Sequence, residues 1–186
     1  MEASLVDTLF TDKLYELHHH PHLHLTIQEE RDADAIFTLI QQEKARLRRT
    51  LPWPDSVKTV DDTRETIRGN RKAFFAKTAA VYVIRWDNML AGIVSFNTIQ
   101  NKEGVIGYWI AEEFEGKGIV SQAVSTLIAA YTDAGLVERS IIKASTANTR
   151  SNAVAQRLGF HFHHIEKDAE RVGEQWFDHN IYRYPV

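Results

Sequence analysis

Ile106-Gly107-Tyr108-Trp109-Ile110-Ala111 is an apolar run that leads, by way of Phe114, into Glu115-Gly116-Lys117-Gly118-Ile119. Further along come Asn148-Thr149-Arg150-Ser151-Asn152-Ala153-Val154 and then Gly159-Phe160. In order, these segments read as strand, glycine turn, helix, strand, polar turn and helix. A strand feeding a glycine turn that opens a helix is suited to phosphate, because unpaired N–H groups and the positive helix end converge there. Without a Cβ at Gly116 or Gly118 the chain can turn tightly and aim the amides of Lys117, Gly118, Ile119 and Val120 at a pyrophosphate. Ser121 offers a hydroxyl and Lys117 a positive charge. A lone G-x-G is equally a tight turn at a helix start, and neither the Rossmann spacing nor a P-loop is present. The second polar turn adds weight: Asn148 can bond the amides of an extended ligand, while Ser151 can cap its own helix.

Working outward, His22 to Ile27 alternates as a strand, and Asp32 or Asp34 can cap a helix from about Ala33 to Arg49. Leu51-Pro52-Trp53-Pro54 breaks that helix, and a second runs from Asp61 to Ala76. Ala80 to Arg85 and Leu90 to Thr98 form a hairpin about Asp87-Asn88, and Asn101 to Gly104 turns into the strand Val105 to Ala111. Gly118 to Ala134 is the central helix, with Gly135 as its C-cap. Ser140 to Ala144 is a buried strand and Ser151 to Leu158 a short helix. Phe160 to Glu166 and Gln175 to Tyr184 are the last strands. The expected fold is α+β, a mixed, mostly antiparallel twisted sheet of about seven strands. It carries one parallel pair at the strand–helix–strand crossover and flanking helices.

The chain has 186 residues, 44% hydrophobic and 25% charged, which suits one domain burying roughly 70% of its unfolded surface. Residues 1–186 are read as a single domain with a core from about 22 to 186, residues 1–21 being an irregular or weakly helical extension. Cysteine is absent, which removes disulfides, thiolate metal sites and a cysteine nucleophile and fits a reducing compartment. A net charge of −3 lacks the basic footprint of a nucleic-acid binder, and no apolar run approaches the roughly 18 residues of a membrane span. Met1 to Asp7 has no basic region followed by an apolar core, so no signal peptide is expected and the cytoplasm is the default.

The segments Ile106-Gly107-Tyr108-Trp109, Phe114-Glu115-Gly116-Lys117-Gly118-Ile119 and Asn148-x-x-Ser151-Asn152-x-Val154, with Gly159-Phe160, resemble the GCN5-related N-acetyltransferase (GNAT) superfamily. Leu51-Pro52-Trp53-Pro54, Asp62-Thr63-Arg64, Gly69-Asn70, Ser95-Phe96-Asn97 and Ser121-Gln122 extend the similarity to the RimJ/RimL group of ribosomal-protein N-acetyltransferases. The resemblance implies a GNAT fold with acetyl-CoA as cosubstrate and no metal. The pantetheine arm would lie between splayed parallel strands, with Trp109, Ile110 and Ala111 on one side and Ala144 to Asn148 on the other. Gly116, Lys117, Gly118, Ile119, Val120, Ser121, Asn148 and Asn152 complete the expected cofactor contacts. One departure stands out: Glu113 occupies a position where the superfamily usually has Gln or Arg, leaving the phosphates to backbone amides and Lys117.

Acetyl transfer needs a neutral amine. An N-terminal α-amine, with a pKa of about 7.7–8.0 against roughly 10.4 for lysine, is on the order of 10% neutral at pH 7, so a weak base or a water relay suffices. Direct attack in a ternary complex follows from the absence of cysteine and of a Ser-His-Asp pattern. The resemblance points to Glu170 as base and Ser151 as the acid that protonates the departing thiolate. A backbone N–H near Ile110 or Ala111 would hold the carbonyl oxygen. The implied acceptor is the N-terminal α-amine (Ser or Ala) of a ribosomal protein, and an acidic one would suit the basic helix faces. A small-molecule amine such as a polyamine, antibiotic or amine-bearing nucleotide is the alternative within enzymes. A non-catalytic acetyl-CoA-binding module is the alternative outside them, and a homodimer is compatible with the group.

His18, His19, His20, His22 and His24 cluster without a carboxylate or thiolate at ligand spacing, and read as a polar strand face or an oligomer contact. Lys44, Arg46, Arg48, Arg49, Arg64, Arg68, Arg71, Lys72 and Lys77 read as a solvated basic face, with steering of an acidic acceptor as the functional alternative. Glu112 and Glu115 read as solvated.

Overall fold

Asp87 and Asn88 take φ values of 49° and 65°, and Asn101 and Lys102 take 52° and 61°. Two consecutive left-handed residues make the tight turn whose twist matches antiparallel strands, so these dipeptides fold β3 (Ala80–Trp86), β4 (Met89–Gln100) and β5 (Glu103–Ile110) into a meander. The second turn is shorter than the four-residue one expected, and Glu103 and Gly104 belong to β5. The computed structural model describes residues 11–186, with main chain alone at 19 and 20. The reading of residues 1–10 as an extension without a signal peptide lies outside the described residues.

The remaining strands are β1 (Glu16–His20), β2 (Leu23–Ile27), β6 (Arg139–Ser145), β7 (His161–Val172) and β8 (Gln175–Tyr184). They form an eight-stranded sheet in the order β1-β2-β3-β4-β5-β6-β8-β7, parallel only between β5 and β6. The expected seven strands become eight because residues 16–20, taken as irregular, pair antiparallel with β2. Leu17 buries against the sheet while its neighbours on β1 are polar, too short an alternation to stand out in the sequence.

Residues 11–15 are helical, in line with a weakly helical extension, and the further α-helices are α1 (Ala33–Leu47), α2 (Val60–Phe75), α3 (Ile119–Asp133) and α4 (Thr149–Arg157). A reciprocal cap opens α2: Asp62 N–H donates to Thr59 Oγ1 at 3.3 Å and Thr59 N–H to Asp62 Oδ2 at 2.9 Å. Asp32 stands at the start of α1 as expected, but its carboxylate accepts from Glu29 N–H and pairs with Arg85 at 2.8 Å instead of capping.

One sheet face buries Tyr82, Phe96, Ala123, Leu127 and Tyr131 in a large core that includes α3 and part of α4. The opposite face carries a smaller core, with Ala33, Ile36, Ile40 and Ile67 of α1 and α2 against Val83 and Ile93. Beyond Ile93 the residues on this face are Ser95, Asn97 and Gly107, too small to fill the space under the helices, and a cavity remains there.

Candidate active site

Hydrogen bonding between β5 and β6 runs from the Glu103–Arg139 pair to the Ile106–Ile142 pair and stops. β5 continues to Ile110 and β6 to Ser145, so the two strands part into a wedge. Main-chain groups alternate sides along a strand. Trp109 pairs with Ile93, and Ala111 N–H donates to Ala91 O at 2.8 Å, so Tyr108 and Ile110 present their main chain to the wedge. Ile110 thus lines the wedge, with its carbonyl accepting from Arg46. Ala111 is fully buried with its amide already used, which removes it as a donor to a carbonyl oxygen. Trp109 contributes its side chain.

Gly116 and Gly118 have φ of +74° and +73°, a region that a Cβ disfavours. The first bond of α3 is Gln122 N–H to Gly118 O at 3.1 Å, so the amides of Ile119, Val120 and Ser121 have no partner within the helix. Among the described residues, those of Gly116, Lys117 and Gly118 make no main-chain bond either. These amides border a cavity of about 370 Å³ lined by Gly116, Gly118, Ile119, Val120 and Ser121, with Tyr108, Trp109, Ile110 and Ser151 on its other walls. The set fits a diphosphate on an extended arm: free donors at a helix N-terminus, and unpaired strand edges beside them. Lys117 is exposed and stacks its ammonium 5.5 Å from the Phe114 ring centre instead of lining the cavity. Glu113 is also exposed and lies outside the lining, so its carboxylate does not oppose the phosphates.

Arg46, Arg150 and Arg157 line the same cavity. Arg46 was read as part of a solvated face. It instead reaches from α1 to donate to Ile110 O at 2.5 Å and to Glu115 Oε1 at 2.8 Å, with Glu43 at 2.7 Å. Glu115, read as solvated, is 19% exposed and pairs with both Arg46 and Arg150. The surplus of guanidinium groups suits a polyanion.

The polar turn divides its labour differently from expectation. Asn148, not Ser151, caps α4, accepting from Ser151 N–H at 3.1 Å. Asn152 donates to Ser145 O at 2.9 Å and Asn148 O at 2.8 Å, and accepts from Asn180 and Tyr182 at 2.8 Å each. Both amide side chains are thus engaged within the protein, and neither residue lines the cavity. Ser151 is left with its hydroxyl turned to Tyr108, whose Oη lies 2.7 Å from Ser151 Oγ.

A second cavity of about 360 Å³ lies under α1 and α2, lined by Gln28, Thr63, Asn70, Ser95, Asn97 and Trp53 among others. Thr63 Oγ1 is buried there with no hydrogen-bond partner among the described residues. Leu51, Tyr108 and Trp109 line both cavities, so the two meet at the tip of β5. Glu170 lines neither. It sits on β7 beyond an irregularity, and its Oε2 is 3.4 Å from Nε2 of the buried His179, which pairs with Ser145 at the end of β6.

A splayed parallel pair has free amides on a glycine turn at its mouth and a second cavity meeting the first at the strand tip, and the acetyltransferase (GNAT) domain model matches residues 22–161 of this chain. The chain belongs to the GNAT acetyltransferase family. It is 36% identical over 162 residues to the ribosomal-protein-serine acetyltransferase of Escherichia coli (strain K12), covering 86% of this chain and 90% of that one. The solved structure of RimL, a ribosomal L7/L12 α-N-protein acetyltransferase in complex with coenzyme A, aligns at TM-score 0.88 and 35% identity over 90% of this chain and 96% of that one. The microcin C7 self-immunity acetyltransferase MccE, in complex with acetyl-CoA and AMP, aligns at TM-score 0.87 and 32% identity over 90% and 94%. This GNAT enzyme is accordingly an N-acetyltransferase with acetyl-CoA as cosubstrate, and the transfer itself calls for no metal.

In this GNAT enzyme Tyr108 as a polar group, Arg150 and Arg157 at the cavity had no counterpart among the expected site residues, and Arg46 was expected on a basic face. Arg150, Val154 and Arg157 follow i, i+4, i+7 spacing, and all of them line the cofactor cavity. That periodicity was a usable signal. Arg46 had none, because its partners Ile110 and Glu115 are more than sixty positions away.

Proposed function

We propose that the enzyme acetylates the N-terminal α-amine of a ribosomal protein by direct attack within a ternary complex. The observation that carries this reading is the junction of the two cavities at Leu51, Tyr108 and Trp109. It lets an amine entering beneath α1 and α2 meet a thioester lying in the wedge, with no covalent relay. The polar side chains around the acceptor cavity, Gln28, Asn70, Ser95 and Asn97, are neutral, which suits a chain end approached through main-chain and hydroxyl contacts. The ribosomal-protein-serine relative and the L7/L12 enzyme support that acceptor class.

In this reading the amides from Gly116 to Ser121 hold the diphosphate, with Arg46, Arg150 and Arg157 as flanking charges and Ile110 main chain beside the pantetheine arm. Ser151, oriented by Tyr108, donates a proton to the departing sulfur. Glu170 takes the proton of the amine, directly or through His179 or a water. The reaction would take place in the cytoplasm, and a homodimer fits the proposal. The AMP-bound neighbour favours a second reading, an amine-bearing nucleotide as acceptor. Acetyl-CoA turnover with peptides beginning Ser or Ala, against a panel of aminoacyl-nucleotide analogues and polyamines, separates them. Peptide turnover should exceed that of every small amine by at least ~10²-fold in kcat/KM. The reverse order would transfer the assignment to the small amine.

A further inference from the structure

The strand that the sequence did not announce changes the meaning of the histidine cluster. β1 pairs antiparallel with β2 so that His18 stands directly opposite His24, and Glu16 opposite Thr26. Residues two apart on a strand share a face, so Glu16 joins His18 and His24 on one side of the hairpin. The expectation that no carboxylate stands at ligand spacing is corrected: once residues 16–20 are a strand, Glu16, two positions before His18, shares its face, and the fold brings His24 across to both. Glu16 Oε2 lies 3.7 Å from His18 Nε2, and Glu16 Oε1 lies 3.8 Å from His24 Nε2. The two imidazoles stack with centres 4.2 Å apart and planes 19° from parallel, and one donor atom from each of the three residues lies within 4.8 Å of the others.

Two further observations point to a ligand. His24 Nε2 is buried and has no hydrogen-bond partner among the described residues, an arrangement that is costly unless something fills the position. The donor separations are close to those of an ion's shell: four-coordinate zinc with bonds of roughly 2.0–2.2 Å sets its donor atoms roughly 3.3 Å apart, and the two stacked imidazoles, whose in-plane lone pairs run nearly parallel, converge on one ion by turning about their Cβ–Cγ bonds. Imidazole with carboxylate is a donor set for Zn²⁺ and neighbouring divalent transition metals, not for Ca²⁺ or Mg²⁺. His22 is engaged with Asp87 and stands outside the set.

We infer that Glu16, His18 and His24 form a transition-metal site of the zinc class, with one coordination position open to solvent. None of the three lines the cofactor or acceptor cavity, so the site serves the hairpin and not the transfer. β1 is the edge strand of the sheet: its ladder pairs with β2, and Leu17 packs into the core beneath α3. A metal bridging the two strands clasps that edge.

The test is calorimetric titration of Zn²⁺ into the full-length, tag-free protein after chelator treatment, paired with thermal melts. The expected result is one ion per chain at micromolar concentrations and a melting midpoint raised by about 5 °C at ~100-fold excess over Kd. Glu16→Gln and His18→Asn, both at exposed side chains, should each weaken binding at least ~10-fold while leaving the metal-free midpoint in place. His22→Asn should bind as the parent does. Absence of saturable binding, or binding undiminished in both Glu16→Gln and His18→Asn, would overturn the site. Acetyl transfer that collapses on chelation would overturn its separation from catalysis.

Discussion

Tyr108 Oη and Ser151 Oγ are 2.7 Å apart, and they join the end of β5 to the first turn of α4 across the mouth of the wedge. Burial pushes the Tyr108 hydroxyl above its ordinary pKa, opposed in part by the Ser151 bond. The folded enzyme therefore keeps this tyrosine protonated as pH passes about 10, where an unfolded tyrosine ionises. Stability is lost over that alkaline range, because only the unfolded chain releases the proton. The hydrogen bond to Ser151 persists below it.

Tyr108→Phe should lower kcat about 10-fold with the KM for acetyl-CoA within ~2-fold, and Ser151→Ala should lower kcat by about 10–10². The double variant should fall no further than Ser151→Ala alone, since the tyrosine acts through the serine. Steady-state kinetics of the three variants decide this, and a fully additive double variant would separate the two roles. The parent kcat should not decline between pH 8 and 9 on account of Tyr108.

Glu170→Gln keeps the shape of the β7–β8 hairpin and removes the carboxylate facing His179. A general base lost in this way lowers kcat by roughly 10²-fold while acetyl-CoA affinity by calorimetry stays unchanged. Parent-like kcat between pH 6 and 8 would retire the assignment.

Gly118→Ala places a Cβ on a residue at φ +73°, where the nearest neighbouring atom is 3.9 Å away. The cost is conformational, about 1–2 kcal/mol, and not a clash. The loop can relieve it only by turning its free amides away from the cavity. Coenzyme A affinity should fall at least ~10-fold with a drop of only a few degrees in melting midpoint, measured by calorimetry and thermal denaturation.

Asn152→Ala removes the amide that ties Ser145, Asn148, Asn180 and Tyr182 together. Unfolding in urea should show a loss of about 1–3 kcal/mol, because the buried Tyr182 and the half-buried Ser145, Asn148 and Asn180 lose their partner. Coenzyme A affinity of the folded variant should stay within ~3-fold of the parent. A large affinity loss at normal stability would restore Asn152 as a direct cofactor contact.

The legible parts of this fold share a local signature. The turns at Asp87-Asn88 and Gly116-Lys117-Gly118, the caps and the apolar faces of α1, α2 and α3 each depend on residues within a few positions of one another. The elements misread lacked one. β1 has a single buried position, Leu17, to mark its inner face within the described side chains, and β7 extends to Val172 through an irregularity that interrupts its alternation. Of the polar-turn candidates, Ser151 lines the cavity and Asn148 does not: the helix begins at Thr149 and not at Ser151, so Asn148 stands at the cap position and accepts from Ser151 N–H at 3.1 Å.

Chain chemistry alone determined the glycine turn, the helix behind it and the absence of a cysteine nucleophile, since these follow from residue type and nearest-neighbour backbone geometry. Only the tertiary structure decided where β5 and β6 part, that Arg46 crosses from α1 to Ile110 and Glu115, that Asn152 is engaged internally, and that His24 stands opposite His18 beside Glu16. The reason is common to all of these: strand register and side-chain pairing between distant segments are set by packing of the whole sheet, and a side chain's partner across a fold leaves no imprint on its own neighbours in sequence.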